Sequence, residues 1–115
     1  MATQRSTTAT DSTASCDAAE PVELAGATHD FLKALASPTR QRIMLLFARG
    51  AELSVNEVAE LAGIGQSTAS QQLDILRRGA VVTSRRDGKT VYYRADKQGS
   101  AAALADLQAY LQSCC

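Results

Sequence analysis

QSTASQQLDILRR, residues 66–78, decides how the rest of this sequence is read. Ala69, Leu73 and Leu76 recur at helical spacing and define a stripe that wants burial. The opposite side carries Ser67, Gln71 and Arg78, with Thr68 and Ser70 on its flanks and Gln66 opening the helix. An ordinary solvated helix face is the plain alternative, yet amides and hydroxyls are also the groups that meet base edges. Gln pairs with adenine in bidentate fashion, and Ser and Thr bond either bases or phosphates. Asp74 shares this side, where phosphate would repel it, and Arg78 four residues on compensates.

Working upstream, Ser54 stands three residues before Glu57, the spacing of a capping box, and Val55, Val58, Ala59 and Leu61 give the ensuing helix an apolar side. Between the two helices, Gly63 and Gly65 in AGIGQS supply the backbone freedom of a tight turn, so the pair is a helix-turn-helix candidate. Further upstream, Ser37-Pro38 is a cap followed by proline at the first helical position. Ile43, Met44, Leu46 and Phe47 carry that helix towards Gly50, and Leu53 sits in a short extended link. From Pro21 onward Leu24, Thr28, Phe31, Leu32 and Leu35 make a first helix.

Downstream of residue 78 the apolar period switches from helical to alternating. VVTSRR and TVYYRA flank Asp87-Gly88, a hairpin signal, with Arg85, Arg86 and Lys89 near its tip. A helix that exposes Gln and Ser, followed by a basic hairpin, has the parts of a winged helix-turn-helix: the helix enters the major groove and the wing grips the backbone or minor groove. The last stretch, SAAALADLQAYLQ (100–112), repeats Ala103, Leu104, Leu107, Tyr110 and Leu111 at helical spacing. So apolar a helix at the end of so small a chain wants a partner.

Composition agrees. A chain of 115 residues suits one domain with a modest core, which makes a homodimer the first expectation. Its net charge of zero hides an asymmetry. In residues 1–30 only Arg5 stands against Asp11, Asp17, Glu20, Glu23 and Asp30. In residues 77–97 Arg77, Arg78, Arg85, Arg86, Lys89, Arg94 and Lys97 face only Asp87 and Asp96. A phosphate backbone would feel that local basic patch. Residues 1–20 hold too few large apolar side chains to fold and read as a disordered tail, leaving 21–115 as the winged-helix domain. No apolar run nears the roughly 18 residues that span a bilayer, and no secretory leader is visible, so a soluble cytoplasmic protein without a membrane partner is expected.

ALASPTRQRIMLLF, ELSVNEVAELAGIGQSTASQQLDILRRGAVV and SRRDGKTVYYRA together resemble the arsenic-repressor (ArsR/SmtB) family of small winged-helix regulators. The Ser-Pro-Thr-Arg helix start and the RRDGKTVYY wing are the most specific pieces. The resemblance implies a mainly α fold of about five helices plus a two-stranded wing. It also implies a homodimer paired through its first and last helices, repressing a double-stranded DNA operator until an effector binds. The DNA-binding set is then Gln66, Ser67, Thr68, Ser70, Gln71, Arg78, Arg85, Arg86 and Lys89.

The effector is where the sequence departs from the family. Ser54 and Asn56 stand where a Cys-x-Cys pair would bind metal, and neutral oxygen and amide groups do not replace thiolates for a soft ion. The last helix has no His for a zinc site. Cys16, Cys114 and Cys115 offer thiolates for As(III), Sb(III) or another thiophilic ion, with idle thiols as the plain reading. His29 with Asp30 is the alternative, for Ni, Zn or Co, and a protein co-regulator is a third route. A winged-helix protein-interaction module rivals the DNA reading. An enzyme is not expected: no nucleophile sits beside a base, and no phosphate-cradling glycine loop occurs.

Overall fold

The computed structural model describes residues 23–114. The expected tail 1–20, with Cys16, and the terminal Cys115 lie outside the described residues. Helix α1 spans Gly26–Leu35 and buries Thr28, Phe31 and Ala34, so it begins five residues after the Pro21 that the periodicity suggested. Its N-cap, Ala25, has no capping side chain of its own. The carboxylate of Asp106 serves instead, accepting the Ala25 backbone N–H at 3.3 Å and the Thr28 hydroxyl at 2.6 Å.

Helix α2 is Pro38–Leu45, with the Ser37 hydroxyl accepting the Arg40 N–H at 3.3 Å and proline in the first turn. Arg40 shows why that start is chemically particular. Its guanidinium donates to the carbonyls of Ala34 and Lys33, at the end of α1, and to the Gln72 side chain on the helix of residues 66–78. One fork thus satisfies the Ala34 carbonyl, adds a second donor to the Lys33 carbonyl that also accepts the Ala36 N–H, and ties one helix to another.

The second helix was expected to run to Gly50; its α portion stops at Leu45 instead. A 3-10 turn, Ala48–Gly50, follows, with Arg49 at φ 62° and Gly50 at φ 77°. Left-handed backbone at two successive residues cannot continue an α-helix. The chain thereby reverses into β1, Leu53–Ser54, which pairs antiparallel with the wing through Leu53↔Tyr93 and Ser54↔Tyr92. The link read as merely extended is therefore a third strand, and the sheet order is β1-β3-β2.

Helix α3, Val55–Ala62, has both halves of the capping box: the Ser54 hydroxyl accepts the Glu57 N–H at 3.2 Å and Glu57 accepts the Ser54 N–H at 2.8 Å. Gly63 ends it in the left-handed region at φ 68°. Leu61, expected on the buried side, faces outward and is 62% exposed. Helix α4, Gln66–Arg78, buries Ala69, Leu73 and Leu76 completely. With Phe31, Ile43, Phe47, Val58 and Val82 they form the core, each buried aliphatic or aromatic side chain contributing about 1.5–3 kcal/mol.

Strands β2 (Val82–Asp87) and β3 (Thr90–Ala95) form the wing. Its turn sits one residue later than the Asp-Gly signal suggested: Asp87 still pairs with Thr90, and Gly88-Lys89 make the loop. Gly88 alone has positive φ, 63°, the pattern of a type II′ hairpin turn with glycine first. Helix α5 is Lys97–Ser113, starting three residues earlier than expected because Asp96 caps it by accepting the Gly99 N–H at 2.8 Å.

Candidate nucleic-acid interface

The stripe of α4 that packs inward leaves Gln66, Ser67, Thr68, Ser70 and Gln71 exposed. None of the five side chains is held by a hydrogen bond among the described residues, so all are available to an incoming ligand. The amide that is held, Gln72, lies beside them and accepts from Arg40 at 2.9 Å, which fixes the rotation of α4 against α1 and α2. Burial on one side and this anchor together aim the polar face outward.

The cations expected to accompany it fall into two groups. Arg86 and Lys89 are exposed and have no ion pair among the described residues. Lys89, at the tip, lines a cleft of about 230 Å³ together with Ser54, Asn56, Gln66 and Thr90. The wing turn and the start of the recognition helix therefore open onto one space. Asn56 and Thr90 were missed by sequence reasoning, which weighed Asn56 only as a failed metal ligand. The register of the hairpin, invisible in the sequence, brings Thr90 there.

Arg78 and Arg85 already have partners. Asp74 holds Arg77 at 2.8 Å and Arg78 at 2.9 Å, confirming the compensation inferred from spacing and drawing the Arg78 charge inward. Arg85 is gripped in bidentate fashion by Glu52, Nε at 2.8 Å and Nη2 at 2.7 Å, with its guanidinium carbon 4.9 Å from the centre of the Tyr92 ring. It lies in mid-strand opposite Tyr92 rather than near the tip. The Arg85 hydrogen bond is the chief reason the Glu52 carboxyl titrates below its ordinary value, outweighing desolvation. The same bond raises the Arg85 guanidinium.

The metal readings fare differently. His29 is exposed on α1, and among the described residues no three His, Cys, Asp or Glu side chains gather where an ion could sit. Cys114 is exposed at the end of α5, while its expected companions Cys16 and Cys115 lie outside the described residues. At the helix-three position Ser54 spends its hydroxyl on the capping box, and Asn56 is neutral. These groups do not fit a thiophilic ion.

A family described as a helix-turn-helix domain matches residues 35–85. Among solved structures, a possible transcriptional regulator for arsenical resistance is 40% identical, with a TM-score of 0.58 over 73% of this chain and 82% of that one. The homodimeric winged helix-turn-helix DNA-binding domain of a possible ArsR-family regulator from Mycobacterium bovis is 34% identical, with a TM-score of 0.59 over 75% and 79%.

The chain belongs to the ArsR/SmtB family.

A biofilm growth-associated repressor of Xylella fastidiosa is 42% identical over 65 residues, or 56% of each chain. This chain spans about half the length of the curated ArsR/SmtB relatives it matches. No described helix is long and apolar enough to cross a membrane.

Proposed function

We propose that this chain is a DNA-binding transcriptional repressor of the ArsR/SmtB type, acting as a homodimer on an operator in the cytoplasm, with no catalytic step of its own. The observation that carries this reading is the unengaged amide and hydroxyl face of α4 beside an unpaired Arg86 and Lys89. Gln66, Ser67, Thr68, Ser70 and Gln71 face base edges and nearby phosphates in the major groove. Arg86 and Lys89 neutralise backbone phosphates. Arg78 and Arg85 contribute less, since each shares its charge with a carboxylate. Relatives named as repressors and a neighbour described as homodimeric support the reading.

Selection from a pool of random duplexes, followed by binding to the enriched sequence across a salt series, tests it. An enriched two-fold sequence and a log–log salt slope of about −0.9 per phosphate neutralised are expected. Failure to enrich any sequence, with no salt-dependent binding to duplex, would leave the fold serving protein interaction instead.

A further inference from the structure

A second recess lies where the end of α2, the base of the wing and the start of α5 meet. Met44 from the last turn of α2 and Phe47 just beyond it, Val81 and Val82 where the chain enters β2, and Ala101 and Leu104 from α5 line an apolar cavity of about 340 Å³. That volume falls within the range of small-ligand pockets. Its rim, Ala95-Asp96-Lys97, is also the edge of a polar recess that contains Thr83 and Arg94. Arg94 and Lys97 are exposed and in no ion pair among the described residues. Glu52, whose carboxyl feels Arg94, is already clamped by Arg85, and the one carboxylate lining the recess, Asp96, caps α5 on the Gly99 N–H. The two cations therefore outnumber it, and an apolar slot opens onto a net positive mouth.

We infer that this recess binds a small amphipathic organic anion, its apolar body between α2 and α5 and its acidic head at Arg94 and Lys97. The site is placed to be felt by the recognition helix. Val81 forms the cavity wall and follows Ala80, whose φ of 60° is strained for a residue with a side chain. The first turn of α5 grips this joint. The Ser100 hydroxyl donates to the Ala80 carbonyl at 3.3 Å, and the Asp96 N–H donates to the Val81 carbonyl at 2.9 Å. Gly99 passes so close to Ala80 that a Cβ there would stand 2.8 Å from the Ala80 side chain. An occupant that parts α5 from α2 pulls on the end of α4 through these contacts and weakens operator binding. That last step rests on the DNA-binding reading; the binding site itself does not.

1-Anilinonaphthalene-8-sulfonate, an aromatic body with a sulfonate, is the probe. Its fluorescence on titration into the full chain should saturate at one site per chain. Octanoate should displace it and octylamine, with the same tail and the opposite charge, should not. Lys97→Glu and Arg94→Glu should each weaken the probe about tenfold, the scale of a charge-assisted contact. Ala101→Phe, an exposed position, should fill the slot and abolish binding, and Leu61→Gln, at an exposed leucine of α3, should leave it intact. Equal displacement by octylamine, unchanged affinity in Lys97→Glu, or no binding to the intact dimer because a second copy covers the recess would each overturn the site. Saturating octanoate should release operator DNA from the wild type but not from Ala101→Phe; release from both, or from neither, overturns the coupling. Because the fluorescence arms use no DNA, a chain that binds the probe but no operator would refute the repressor reading alone.

Discussion

Glu52 and Arg85 stand 33 residues apart in sequence and meet with bidentate geometry. The pair sets the charge that the wing presents at its surface. Replacing Glu52 by Gln should free the Arg85 cation, raise affinity for every duplex and steepen the log–log salt slope by about 0.9 per subunit; fluorescence anisotropy across a salt series reads this directly. An unchanged slope would mean that Arg85 does not approach phosphate. The pH sign follows from the depressed Glu52 carboxyl. Its pairing supports the fold above the ordinary carboxylate range and is lost only as pH falls through the lowered value. Affinity between pH 5 and pH 8 should therefore show no step that Glu52→Gln removes. Base-reading residues predict a different pattern. Gln71→Ala should relax preference at one position of each half-site by about 1–3 kcal/mol, whereas Arg86→Ala should weaken all sequences alike. Equal losses on selected and random DNA for both would remove α4 as the reader. Much of this scale was legible in sequence: the exposed face of α4, its buried stripe and the Asp74–Arg78 compensation all follow from helical spacing. The Glu52 clamp was not, because counting charges along a chain says nothing about which carboxylate the fold delivers to which cation.

At the scale of elements, close approach rather than hydrophobicity fixes how α4 meets its neighbours. Gly79 ends that helix where a Cβ would stand 2.7 Å from the Asp30 carbonyl and 2.8 Å from the Ala34 side chain on α1. Gly79→Ala should push α1 away from α4 and cost about 1–3 kcal/mol, measured as a lowered urea midpoint. A midpoint equal to the wild type would mean that the two helices part without penalty. The caps of α2 and α3 were readable because Ser-Pro and Ser-x-x-Glu are local chemistry, and the order of helices followed from local periodicity. Three boundaries were not readable. The second helix breaks at a left-handed Arg49, a residue with no sequence signature for that conformation. The hairpin turns at Gly88-Lys89 rather than Asp87-Gly88 because the register with β3 pairs Asp87 with Thr90. Strand β1 is two residues long and exists only because β3 offers an edge, a tertiary fact.

For the molecule as a whole, α1 and α5 behave as one unit. Thr28 is buried, and its hydroxyl shares the Asp106 carboxylate with the Ala25 N–H, so the start of α1 is fastened to the middle of α5. Next to that fastening, Leu111 is 60% exposed on one stripe with the half-buried Leu107, and Leu104, 54% exposed, lies where that stripe meets the α2–α5 recess. The sequence pointed to this stripe through its spacing. Such a row of leucines on a small domain is the surface that a second copy would bury at about 25 cal/mol per Å². Repression on a two-fold operator requires the same pairing, because two recognition helices must reach successive major-groove faces about 34 Å apart. Leu107→Asp places a carboxylate in that stripe and should dissociate the dimer at micromolar concentration, seen as a shift to monomer mass in sedimentation equilibrium. Operator affinity should fall with it, since a lone subunit holds only one half-site, while binding to an isolated half-site should be kept. Leu111→Asp, at the more exposed end and away from the α1 fastening, separates this from a folding defect. It should lower dimer affinity and leave the thermal midpoint of the monomer unchanged. A wild-type chain that sediments as a monomer yet binds a two-fold operator with full affinity would sink the α5 interface.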